Sequence, residues 1–182
     1  MLPVLEAAEE LAVDLEHHHL ESFLGITCLM QVSTRDADFI LDTLSLGPQL
    51  AQLAKIFENP NVVKVLHGAD SDVLWLQRDF GIYIVNLFDT GRACRALGMP
   101  AGYASLLQHY CGVKTDKRFQ MADWRQRPLS EEMAVYARTD THYLLHLYDC
   151  LKVDLERKTQ QQGSPAGQLL RQVWDTSKRV AL

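Results

Sequence analysis

Four acidic residues and one tyrosine occupy positions where a packed core has no use for them. They are Asp14 and Glu16 in Leu-Ala-Val-Asp-Leu-Glu, Asp72 in His-Gly-Ala-Asp-Ser-Asp, and Tyr136 with Asp140 in Tyr-Ala-Arg-Thr-Asp. A strand alternates its side chains with period two, so Asp14 and Glu16 share one face while Val13 and Leu15 take the other. Tyr136 and Asp140 are four apart and stack on one face of a helix. Burying several carboxylates together is costly unless cations neutralise them, and few basic residues lie beside these segments. Divalent metal resolves the conflict, and all-oxygen ligands suit Mg²⁺ or Mn²⁺.

Each helical acid interrupts an apolar stripe. After Gly68 the set Ala69, Asp72, Val73, Leu76 and Phe80 follows the offsets of a buried helical face, so Asp72 points inward. Asp70 falls off that stripe and reads as an N-cap or first-turn acid. Further on, the stripe Met133, Tyr136, Ala137, Asp140, Leu144, Leu147, Leu151 is broken by Asp140.

The order Asp-x-Glu, then Asp, then Tyr-x-x-x-Asp resembles the DEDDy 3′-5′ exonucleases. Intervening segments narrow the resemblance to the RNase D family and, within it, to the catalytic domain of the nuclear exosome exoribonuclease of the exosome component 10 type. The segments are Val13-Asp-Leu-Glu-His-His18, Ser22-Phe-Leu-Gly25 with Cys28 to Thr34, His67 to Asp72 with Trp75 to Gly81, Phe88-Asp-Thr90, Ala122-Asp-Trp-Arg125 with Arg127-Pro-Leu129, and Asp140 to Leu145. They cover residues 11 to about 150.

The resemblance implies a ribonuclease H-like α/β fold, a mixed sheet flanked by helices, and two-metal hydrolysis of phosphodiesters with the ions about 3.5 to 4 Å apart. It implies that Asp14 bridges both ions, that Glu16 and Asp140 complete the site that activates water, and that Asp72 serves the second ion. Tyr136 is expected to orient the attacking water, since a phenol with an unperturbed pKa near 10 is a poor base unaided. His17, Trp75 and Lys117 match family positions that approach the terminal nucleotide, through a sugar hydroxyl, a base or sugar face, and a phosphate. The expected partners are single-stranded RNA 3′ ends and nuclear exosome core subunits, the latter through regions largely outside this chain. The implied compartment is the nucleus, enriched in the nucleolus. Rival readings are a bacterial-type RNase D acting on tRNA ends, a DNA 3′-5′ exonuclease on the same scaffold, and a catalytically silent RNA-binding module.

The elements that must position these residues fit a chain of 182 residues, 47% hydrophobic, with length for one core. No apolar run approaches the roughly 20 residues of a bilayer span, so no membrane partner is expected. Cys28, Cys94, Cys111 and Cys150 are widely spaced and read as reduced thiols. His17-His-His19 lacks cysteine partners, which sets a zinc reading aside. The formal charge of -5 is uneven, with one basic and nine acidic side chains in residues 1–50, but six basic and three acidic in 151–182. RNA affinity therefore has to come from a local groove and bound metal.

Strands are expected over 11–16, 26–34, 39–42, 62–66 and 85–88, and helices over 49–57, 71–80, 90–98, 103–111 and from Ser130 to about 152. Three early strands followed by alternating strand and helix place the chain among α/β layer folds. Residues 1–158 are read as the exonuclease domain, its N-terminal strand truncated. Residues 159–167, with Gln-Gln-Gln-Gly-Ser-Pro, are read as a linker, and 168–182 as a C-terminal helix that leads in relatives to an HRDC domain absent here.

Overall fold

The computed structural model describes residues 1–19 and 24–181; Ser22 and Phe23 of the resemblance, and the side chain of Lys117, lie outside the described residues. Five strands carry the fold: β1 Glu10–His18, β2 Ile26–Ser33, β3 Asp38–Asp42, β4 Val63–Leu66 and β5 Leu87–Asp89. The helices are α1 Leu2–Glu6, α2 Thr43–Leu46, α3 Ala54–Phe57, α4 Asp70–Phe80, α5 Thr90–Leu97, α6 Tyr103–Cys111, α7 Glu131–His142, α8 Leu144–Gln161 and α9 Gln168–Ala181. The sheet order is β3-β2-β1-β4-β5, antiparallel from β3 to β1 and parallel from β1 to β5. This is the expected mixed sheet flanked by helices.

The period-two pattern of β1 sorts its residues between two cores. Leu11, Val13 and Leu15 join Val73 and Leu76 of α4 on one side of the sheet, whereas Ala12 joins Leu144, Leu147 and Leu151 of α8 on the other. Asp14 and Glu16 follow Ala12 on that second face, at the end of the strand where the apolar packing stops.

Several boundaries differ from the sequence reading. The long helix expected from Ser130 to about 152 is two helices, broken at Tyr143, the second running on to Gln161. Residues 49–53 belong to a 3₁₀ turn, Gly47–Leu53, and only 54–57 are α-helical. The start of the expected linker is helical: Thr159 is buried in α8, and its hydroxyl donates to the Leu155 carbonyl at 2.7 Å. Helix α9 is docked on the sheet, with Val173 and Ser177 buried and Trp174 edge-on to Phe88 of β5 at 5.0 Å between ring centroids. Residues Leu2–Glu6, ahead of the first acids, are helical.

Candidate metal centre

Carboxylate oxygens of Asp14, Glu16 and Asp140 all lie within 4.8 Å of one another, the group among the described residues suited to hold a metal ion. Two of the three come from one face of β1. The third comes from α7, whose start is fixed by Ser130 as N-cap, its hydroxyl accepting the Met133 N–H at 3.1 Å. Its far end is bolted to the sheet by Ser33 and the fully buried Thr141, hydroxyl to hydroxyl at 2.7 Å, and by Asp38, which accepts from Arg138 at 2.8 Å and lies 2.8 Å from His142.

Asp72 enters from the opposite layer. Pairing of β1 with β4 ends at Ala12↔Val65, which leaves the β1 edge open beyond it. Asp72, in the first turn of α4, is only 6% exposed and feels the Asp14 charge and the backbone of Leu15. Asp70 is the first residue of the helix and turns outward to Arg92, 2.9 Å away. The stripe argument thus separates the two aspartates as the structure does.

These acids lie buried near one another, and their charges repel. Burial, then the Asp140 charge, pushes Asp14 well above the ordinary aspartate range. Burial and then the charges of Asp14 and Asp140 push Glu16 up to about 10, and burial pushes Asp140 up to about 7. Burial, then Asp14, raises Asp72 well above its usual value. Such a donor set is unstable as four anions and suited to hard divalent cations, which fits a metal site.

A cleft of about 520 Å³ opens over the acids, walled by Asp14, Glu16, Tyr136 and Asp140 together with His67, Tyr103 and Gln120 among others. Tyr136 rests against Phe119 and Trp124, with ring centroids at 5.6 and 5.9 Å. Burial first, then Asp140, Glu16 and Asp14, raises its phenol.

His17 and Trp75 come together, but as a stacked pair with ring centroids 4.2 Å apart and planes within 3°. A register shift follows Glu16 in the pairing with β2, and His17 continues the α4 face of β1 that Val13 and Leu15 occupy. There its Nε2 lies 3.2 Å from the Arg78 guanidinium, which donates, and burial followed by the Arg78 charge lowers the imidazole pKa. The pair stands beside the cleft and is not part of its walls. Lys117 lies in a short 3₁₀ turn of the loop that precedes α7.

Two residues of the site escaped the sequence reading. Gln31 is 0% exposed, faces Asp14 across the β1/β2 ladder, and donates from Nε2 to Glu16 Oε1 at 3.4 Å. Tyr103 donates its hydroxyl to the Thr139 carbonyl at 3.0 Å and packs on His67. The one signal for Gln31 was a polar side chain in the apolar run Cys-Leu-Met-Gln-Val. Tyr103 had none, because its place depends on the fold. His67 reaches Thr90 Oγ1 and the Ala101 carbonyl at 2.9 and 2.8 Å, and Trp124 is 1% exposed.

Comparison with known proteins places this geometry. The profile of a 3′-5′ exonuclease family matches residues 1–156. The exosome complex exonuclease RRP6 of Saccharomyces cerevisiae is 53% identical over 153 residues, covering 84% of this chain and 21% of that protein. Exosome complex component 10 of Homo sapiens is 52% identical over 175 residues, covering 96% of this chain and 19% of that protein. The crystal structure of the catalytic core of RRP6 from Trypanosoma brucei superposes with a TM-score of 0.91 at 47% identity, over 99% of this chain and 48% of that one. The chain spans about a fifth of the length of these curated relatives.

Proposed function

Because this chain belongs to the 3′-5′ exonuclease family, in its RRP6 and exosome component 10 branch, we propose that it is a metal-dependent exoribonuclease domain. It shortens RNA from the 3′ end and releases nucleoside 5′-monophosphates, within a nuclear exosome subunit. The observation that carries this reading is the meeting of Asp14, Glu16 and Asp140 within 4.8 Å under an open cleft, with the buried Asp72 near enough to feel the Asp14 charge.

By the family resemblance Asp14 would hold both ions, with Glu16 and Asp140 on one and Asp72 on the other; the oxygen donors favour Mg²⁺ or Mn²⁺. When bound, two such ions neutralise the phosphate charge that develops during displacement and acidify the attacking water. The chain's own residues do the rest. Gln31 holds Glu16 in place with its amide, and Tyr136 donates a hydrogen bond that aligns the nucleophile. His17, Trp75 and Lys117 are the proposed contacts for the terminal nucleotide, His17 reading its sugar hydroxyl. For the stacked pair this requires the ring of His17 to keep its place on Trp75 and offer its remaining nitrogen. The nucleus, with nucleolar enrichment, is the proposed compartment, and exosome core subunits are the proposed partners through regions beyond these residues.

The experiment is incubation of 5′-labelled single-stranded RNA and matched DNA with the protein and Mg²⁺ or Mn²⁺, then with chelator. Stepwise shortening of RNA, blocked by chelator and by a 3′-phosphate, is expected. Equal cutting of DNA supports the DNA exonuclease instead. Cleavage of circular RNA, or no cleavage with either metal, overturns the reading.

A further inference from the structure

Asp89, in the segment Phe88-Asp-Thr90, carries a carboxylate that is 0% exposed and lies outside the cleft walls. An aspartate buried this far persists only when its oxygens are met by donors, and here they are met by four backbone N–H groups from two different elements. Oδ1 accepts from Gly91 at 2.8 Å and Arg92 at 3.3 Å, which caps α5. The same Oδ1 accepts from Gly68 at 2.9 Å, and Oδ2 accepts from Ala69 at 3.2 Å. Gly68 and Ala69 form the turn that launches α4, and Gly68 has a φ of 69°, a conformation suited to glycine. Ala69 is the N-cap of α4 and has no side chain to cap it. The start of that helix is therefore held from outside by Asp89, three residues ahead of Asp72.

The neighbouring groups tighten the same joint. Thr90 Oγ1 lies 3.1 Å from the Leu66 carbonyl, to which it can donate, and 2.9 Å from His67 Nδ1, so the end of β4 is tied to α5. The Asp89 backbone N–H donates to Ser177 Oγ at 3.0 Å, and Ser177 is itself fully buried on α9. Arg92 Nε stands 3.4 Å from Oδ2 and its Nη2 reaches Asp70, closing the cluster on the outside.

We propose that Asp89 is a positioning residue of the metal centre: by pinning the turn at Gly68 and Ala69 it fixes where Asp72 presents its carboxylate, and so sets the affinity of the second ion. This rests on the two-metal reading above. Outer contacts that orient ligands typically change metal affinity about 10–100-fold when lost. Substituting Asp89→Asn retains an oxygen that can cap α5 and hold Gly68, but sets an amide N–H₂ against the Ala69 N–H, so the anchor of α4 is the bond removed.

The test is Mn²⁺ binding to the metal-free protein, followed by calorimetry and by the spin-resonance signal of free Mn²⁺, with thermal unfolding of each variant beside it. Wild type should bind two ions, and Asp89→Asn should weaken one of them about 10–100-fold while leaving the other unchanged. Leu155→Ala, which opens a hole in the far core, should lower the unfolding temperature and leave both affinities alone. Two unaltered affinities in folded Asp89→Asn, or the same selective loss in Leu155→Ala, overturn the proposal. If Asp89→Asn does not fold, Ser177→Ala must show the same selective weakening on a smaller scale, and unchanged binding there overturns it equally. No Mn²⁺ uptake by wild type would instead overturn the two-metal reading itself.

Discussion

The acids along the β3 rim and the acids of the cleft obey opposite rules. At the rim, Asp42 meets Arg127 through two bonds of 2.6 and 2.9 Å, and the guanidinium holds its carboxyl well below the usual aspartate range. Asp38 is partly buried, which works against ionisation, yet Ser33, Arg138 and His142 together lower its pKa. In the cleft burial drives Asp14, Glu16, Asp72 and Asp140 upward, and the charges that raise Asp14, Glu16 and Asp72 further are those of neighbouring acids. The same residue types thus serve as fasteners where a guanidinium answers them, and as a cation receptor where acids face one another.

The sharpest way to break this contrast is Asp14→Asn. Removing the shared carboxylate should lower the rate of RNA hydrolysis by on the order of 10³-fold or more, while the metal-free protein unfolds at an equal or higher temperature because a repelled buried charge is gone. Near-normal turnover would remove Asp14 from the metal centre. Next comes the pair on α4: Asp72→Asn should slow hydrolysis about 100-fold, whereas Asp70→Asn, with a side chain 64% exposed, should change it less than about twofold. Equal losses in single-turnover assays would mean that the helical face does not select the ligand.

Stability against pH separates the two regions further. Each cleft acid holds its proton to higher pH in the folded protein than in the unfolded chain, where Asp and Glu titrate near about 4. Above that point the folded state binds more protons than the unfolded one, so metal-free stability must fall as pH rises, through about 7 for Asp140 and toward about 10 for Glu16. Rim acids act in the other direction, losing their contribution as pH falls. Scanning calorimetry in chelator should show a declining unfolding temperature from pH 5 to 8. Mg²⁺ at about 100 times its Kd should restore about 2.7 kcal/mol, roughly 5–10 °C for a chain of this size. A flat profile in chelator would contradict the burial of the cluster.

The smallest effect is expected at the rim itself. Arg127→Ala removes bonds to Asp42 and to the carbonyls of Cys28 and Trp124, and should cost about 1–2 kcal/mol in urea unfolding, with hydrolysis reduced less than about tenfold. A larger loss of activity than of stability would show that the loop from 112 to 130, which carries Trp124 beneath Tyr136, depends on this clasp.

What could be read in the sequence was what is local. Asp14 with Glu16 and Tyr136 with Asp140 declare themselves because strand and helix periods act over two to four residues. Asp72 was separable from Asp70 for the same reason. The break at Tyr143 was not readable, since no proline or glycine marks it and Tyr143 itself keeps a right-handed helical conformation. Thr159 to Gln161 looked like linker from composition, yet buried contacts of Thr159 with the Leu155 carbonyl and the Leu169 N–H prolong the helix. Gln31, Tyr103 and Asp89 gain their meaning only when distant segments meet, and a sequence met alone does not record such meetings.

The docking of α9 has a consequence for the solubility of the molecule. Among the described residues β5 is the last strand of the sheet and pairs with β4 alone, so its outer side is the kind of edge on which another chain could add a strand. Ser177 occupies one of its donors, the Asp89 N–H, while Val180 and Ala181 pack onto the core beside it. A version of the protein cut before residue 168 would bare that edge and the apolar surface around Phe88 together. It should gather into oligomers long before it loses its secondary structure, and the acids in the cleft would be intact when it did.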